Sequence, residues 1–149
     1  MNKVILLFFL LLNTFIFAQV VKINDQTRYN SDSRQFYVWS EEKQAYDLRE
    51  TEFENSIIDI REILSHANGY IVISLNDDGN VRLYHGSILS FDKDENGNSV
   101  WVMRSKNARG KLMFDPKART MTYSYEATEK RYAKIFVFTL VPDMLVKDE

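Results

Sequence analysis

The sequence predicts a mainly β domain, an antiparallel meander strongly curled or closed into a small barrel. One helix near residues 52–66 leaves an α+β description open. Three observations predict this fold class. From Gly69 onward, runs rich in Val, Ile, Tyr, Phe and Thr alternate with short turn-forming stretches, the composition of strands and their connections. Asp78-Gly79 and Asn96-Gly97 are dipeptides favoured in two-residue hairpin turns, whose central positions need positive φ. Met121, Tyr123 and Tyr125 alternate with Thr120, Thr122 and Ser124, which at period two gives one buried face and one wet face.

Taken in chain order, Asn24 to Arg34 ("NDQTRYNSDSR") is polar and reads as a loop. Gln35 to Glu42 ("QFYVWSEE") is aromatic and β-branched and reads as a strand, with Ala45 to Leu48 pairing back across the turn at Glu42–Gln44. Thr51 to Gly69 carries signals for a helix. Thr51 and Glu54 form a capping-box pair, Phe53, Ile57, Ile60 and Leu64 repeat at helical spacing, and Asn68-Gly69 is a C-terminal stop. Four β-branched residues (Ile57, Ile58, Ile60, Ile63) and the Ile58/Ile60 alternation pull toward a strand. The helix is the expectation adopted.

Beyond Gly69 the expected strands are Tyr70–Asn76, Asn80–Phe91, Ser99–Ser105, Lys111–Phe114, Arg119–Glu126 and Tyr132–Val141. Their connections are short, so neighbours in sequence should be neighbours in the sheet. The last strand is apolar on both faces from Ile135 to Leu140, which places it centrally or against the helix.

At the N-terminus, Lys3 precedes an apolar run from Val4 to Phe17 that ends in Phe17-Ala18-Gln19. This is the layout of a cleaved export signal, with the small Ala18 before the cut. The run has 14 residues, short of the roughly 20 needed to span a bilayer, so no stable membrane anchor is expected after cleavage. The expected organisation is a signal at 1–18 and a single domain at 19–149, periplasmic or secreted. The chain has no cysteine, which excludes disulfides, thiolate metal sites and a cysteine-linked lipid anchor. With 18 basic and 21 acidic residues after Ala18, no concentrated basic surface for nucleic acid is expected.

The "FAQ" boundary (Phe17 to Gln19), the "FYVW" strand (Phe36 to Trp39) and the hairpins from Gly69 to Leu140 resemble the small exported proteins of Gram-negative bacteria built as one β-rich domain. The resemblance implies location and fold class and carries no site.

Candidate chemistry is sparse. Asp92, Asp94 and Asn96, followed by Gly97, have the alternate spacing of a calcium loop, but the twelfth position, where a bidentate Glu is required, is Met103. The competing reading is a hairpin turning at Asn96-Gly97, with Asp94 opposite Ser99, Asp92 opposite Trp101 and Phe91 opposite Val102. His66 and His85, the only histidines, fall short of the three ligands a catalytic zinc needs. His85 and Ser87 share a strand face without a nucleophile-elbow motif. No cofactor is implied.

The aromatic residues are the remaining pointer, with Tyr37, Trp39, Trp101, Tyr123 and Tyr125 as candidates to line a ligand surface. The expected role is a non-enzymatic module binding another protein or a small apolar or sugar ligand. The alternatives are a small hydrolase using carboxylates or His85/Ser87, and a calcium-stabilised structural module.

Overall fold

A computed structural model of the chain describes residues 23–106, 108–127 and 133–142; the expected export signal lies outside them. Eight strands follow one another: β1 (Ile23–Ser40), β2 (Ala45–Glu52), β3 (Ser56–Asp77), β4 (Asn80–Lys93), β5 (Ser99–Arg104), β6 (Ala108–Asp115), β7 (Thr120–Ala127) and β8 (Ala133–Leu140). All pairings are antiparallel, and β8 returns to pair with β1. The result is a closed eight-stranded antiparallel barrel with one extra strand.

The eighth barrel strand comes from β3, which is bent back on itself. Its first arm (56–64) pairs with β1, and its second arm (70–77) pairs with β4. The arms lie side by side: the Asn76 N–H donates to the Asn55 carbonyl at 3.2 Å, and Asn68 Nδ2 donates to the Ile63 carbonyl at 2.8 Å. Leu64 (φ +67) and Gly69 (φ +136) take the positive φ values that reverse the chain. At Gly69 a Cβ would sit 1.8 Å from the Arg61 carbonyl oxygen, so only glycine lets the arms approach.

The helix expected near residues 52–66 is therefore corrected to strand. Phe53 and Leu64, two of its four stripe positions, are exposed. The inward set is instead Ser56, Ile58, Ile60 and Glu62, at period two. Thr51 of the capping box pairs with Gln35 in the sheet, and the Glu54 carboxylate accepts the Asp78 N–H. Pairing on both edges decides the conformation, and local helix signals of a few tenths to one kcal/mol do not resist it. The loop expected at 24–34 is likewise strand: its polar residues ride on β1, held by the isoleucine-rich first arm of β3.

The other hairpins follow the expected order. Asp78 (φ +50) and Gly79 (φ +79) form the two-residue turn between β3 and β4, and Ala45–Leu48 does pair back onto β1. Strand β8 is central, paired to β7 and β1, with Phe136, Phe138 and Leu140 inward.

Eight strands enclose an interior just wide enough for side chains, and here side chains fill it. Ile58, Ile71, Ile73, Leu75, Leu112 and Phe138 are fully buried in one cluster. An aromatic group of Phe36, Tyr84, Tyr123, Tyr125 and Phe136 packs beside them, with ring centroids 4.9–6.4 Å apart. β2 pairs along β1 beyond the barrel wall and is pinned at its base by buried Arg34. The Arg34 guanidinium pairs with Glu52 and donates to Ser56 Oγ and the Asn76 carbonyl.

Candidate functional site

One end of the barrel opens into a cleft of about 570 Å3, lined by β1, the bend of β3 and the ends of β4, β5 and β6. Its walls are aromatic: Tyr29, Phe91, Trp101 and Phe114. At its base lies Glu62, 7% exposed, the last member of the inward Ser56-Ile58-Ile60 series.

Both Glu62 carboxylate oxygens are engaged. Trp101 Nε1 donates to Oε1 at 2.9 Å, and His66 Nδ1 lies 2.6 Å from Oε2. With Glu62 ionised it can only accept, so Nδ1 carries the proton and donates. These bonds offset the penalty of burying a carboxylate, which is severe when unpaired. The His66 ring packs on Phe91 at 4.7 Å and Phe91 on Trp101 at 5.3 Å, so acid, imidazole and rings form one contiguous cluster. Asp25, Asp92 and Lys93 stand at the rim.

This wall corrects the expected hairpin register. Phe91 pairs with Trp101, Asp92 with Val100 and Lys93 with Ser99, one residue away from the expected alignment. The loop has three residues (95–97): Gly97 at φ +83 closes it, the Gly97 N–H donates to the Asp94 carbonyl, and Asp94 N–H donates to the Asn98 carbonyl. A type I turn followed by a left-handed glycine has this form and adds one residue to the two-residue turn assumed from Asn-Gly alone. The shift turns Phe91 and Trp101 to the same inner face.

Of the calcium candidates, Asp94 spends its carboxylate on the turn, accepting from the Asn96 and Asn98 N–H groups and from Asn98 Nδ2, each at 2.9 Å. Bonds from the Asn98 backbone above all hold its pKa below the usual carboxylate value. Asp92 accepts the Lys93 N–H, and Asn96 is at the exposed loop tip. Among the described residues no three His, Asp or Glu side chains converge as a metal site.

The aromatic candidates separate into three places. Trp101 is in the cleft. Tyr123 is buried in the core beside half-buried Tyr125, and burial pushes the Tyr123 hydroxyl pKa up. Tyr37 and Trp39 lie on the outer face of β1, where Trp39 meets Tyr46 edge-on at 5.2 Å. His85 and Ser87 are exposed on the outside of β4, beside Arg104 and Lys106 in a smaller cleft of about 340 Å3.

Glu62 and the part played by His66 escaped the sequence reading because a helix puts both on the face opposite the Phe53-Ile57-Ile60-Leu64 stripe, turned away from the core. Read as a strand, the inward alternation would have exposed an acid as its terminal member. Comparison of the chain with protein-family models, curated proteins and solved structures returned no significant match.

Proposed function

We propose that the chain is an exported, non-enzymatic binding domain whose cleft at the Glu62 end takes a small organic cation, a protonated amine on an apolar or aromatic body. The observation that carries this reading is the buried Glu62 carboxylate, fixed by Trp101 and His66 at the base of an aromatic-walled cleft. The cleft lining holds three acidic residues, Asp25, Glu62 and Asp92, against the basic Lys93 and His66, a balance that leans toward positive charge. Ring faces carry negative charge density and add roughly 0.5–2 kcal/mol for a cation placed over them. A side-chain-filled interior supports a ligand held at the rim rather than one engulfed.

Calorimetric titration with benzylammonium tests the reading, with benzyl alcohol as the neutral control. Binding of the cation alone, abolished by Glu62→Gln, is the expected result. Equal binding of both probes, or of neither at millimolar concentration, overturns it. Export is a separate part of the proposal and rests on the Lys3, apolar-run and Ala18-Gln19 pattern. N-terminal sequencing of protein from the cell envelope should begin at Gln19; an intact Met1 in the cytoplasmic fraction refutes it.

A further inference from the structure

His85 and Ser87 take no part in the Glu62 cleft. They line the second cleft, and the two clefts share no lining residue. Gly86 between them is buried, as are Ile71 on β3 and Met103 on β5. At period two, Tyr70, Val72, His85, Ser87 and Arg104 therefore face outward together. The register sets them side by side: Tyr70 lies opposite Ser87, Val72 opposite His85, and Ser87 opposite Arg104. Neighbouring strands are about 4.8 Å apart, so these side chains rise from one small area. Gly86 lets the strands close up beneath them: a Cβ there would stand 2.8 Å from the Arg104 carbonyl oxygen.

The charge of this area is one-sided. Arg104, Lys106 and His85 line the cleft and no Asp or Glu does, in a chain whose net charge is −2. Among the described residues, neither the Arg104 guanidinium nor the Lys106 ammonium has a hydrogen bond or ion pair. Arg109 lies directly opposite Arg104 on β6, and like charges so placed are destabilising. Glu126, the acid next in register, lies beyond Arg109 on β7, with β6 between it and Arg104. An anion held by Arg104 would offset that repulsion. Two permanent cations match a dianion better than a monoanion, and the guanidinium fork suits phosphate oxygens. The Ser87 hydroxyl and a His85 ring N–H are further donors. Tyr70 and Val72 form an apolar side of the same cleft. We propose that this cleft binds a phosphate monoester. Arg104 and Lys106 take the dianion, the Ser87 hydroxyl donates to it, and Tyr70 and Val72 lie against the organic body. The site is separate from the Glu62 cleft and stands whether or not that cleft binds an amine.

Calorimetric titration with phenyl phosphate at physiological ionic strength tests the proposal, with singly charged phenyl sulfate as the control of similar shape. Saturable binding of the phosphate is expected, weakened about tenfold by Arg104→Gln, which removes charge-assisted bonds. Ser87→Ala should weaken it severalfold without changing the charge. Lys111 is an exposed cation on β6 outside the cleft lining, so Lys111→Gln should leave the affinity unchanged. All three positions are exposed, and unaltered thermal melts show that the variants fold. No saturable binding at millimolar phenyl phosphate overturns the proposal, as does equal binding of phenyl sulfate. Equal weakening by Arg104→Gln and Lys111→Gln overturns it too, by identifying diffuse attraction in place of a site. Inorganic phosphate binding as tightly as phenyl phosphate overturns the ester assignment, because Tyr70 and Val72 would then contribute nothing.

Discussion

Replacing Gly69 with Ala should damage this protein far more than its position near a surface bend suggests. Two terms add. The residue holds φ +136, a region that costs an L side chain about 1 kcal/mol or more. The new Cβ would also lie 1.8 Å from the Arg61 carbonyl oxygen and 2.9 Å from its carbon, against an ordinary approach above 3.4 Å. Backbone must move by more than an ångström, parting the two arms of β3 where they meet. That puts the total at about 3 kcal/mol. For a domain of about 130 residues, melting entropy near 2.1 cal/mol/K per residue converts this to a Tm loss of about 11 °C. Gly79→Ala is the internal control: its φ is also positive, at +79, but nothing lies within 4 Å of the added Cβ. It should lose only the conformational term, about 1 kcal/mol or about 4 °C. Paired thermal melts by far-UV circular dichroism read both. Equal losses for the two variants would refute the doubled-back geometry of β3.

Trp101→Phe keeps a ring but strips the donor from buried Glu62 Oε1; a loss of about 2 kcal/mol is expected by urea denaturation, and less in a Glu62→Leu background where no carboxylate is orphaned. Arg34→Met leaves Glu52 without its cation and the Asn76 carbonyl without its donor, with an expected loss of about 3 kcal/mol, partly recovered by Glu52→Met in the same chain. For Asp94 the sign follows from a pKa depressed in the fold. Its contribution is fully present above the unfolded-state value near 4 and is lost as pH falls through the folded value. Asp94→Asn should therefore flatten the fall in Tm between pH 4 and pH 2 relative to wild type, and an unchanged acid limb would contradict it.

The β hairpins were legible because their signals are local: Asp-Gly at positive φ, period-two alternation in β7, and short connections that leave a meander as the simple path. Closure of the barrel by β1 and β8 was foreseen only in outline, since it joins residues about a hundred positions apart. The first half of β1 was hidden because its partner supplies the hydrophobic surface: Thr27 and Tyr29 sit across from Ile60 and Ile58, and the polar run has little strand character of its own. The site was hidden by the same error. Phe53, Ile57, Ile60 and Leu64 match a helical stripe, and against it the inward series of Ser56, Ile58, Ile60 and Glu62 did not stand out. A one-residue register error then pointed Asp92, not Phe91, at Trp101. Trp101 alone of the cleft's walls was singled out, from its aromatic character and not from any pattern around it.

The chain has two tryptophans, and they occupy the two competing surfaces: Trp101 in the cleft beside Glu62, Trp39 on the outer face of β1 beside Tyr46. A two-dimensional 1H–15N NMR titration with benzylammonium therefore reads both indole N–H signals at once. The expected result is a saturable shift of the Trp101 signal with Trp39 unmoved. A shift of Trp39 alone, or of neither signal at millimolar amine, would contradict the assignment of the cleft as the binding site.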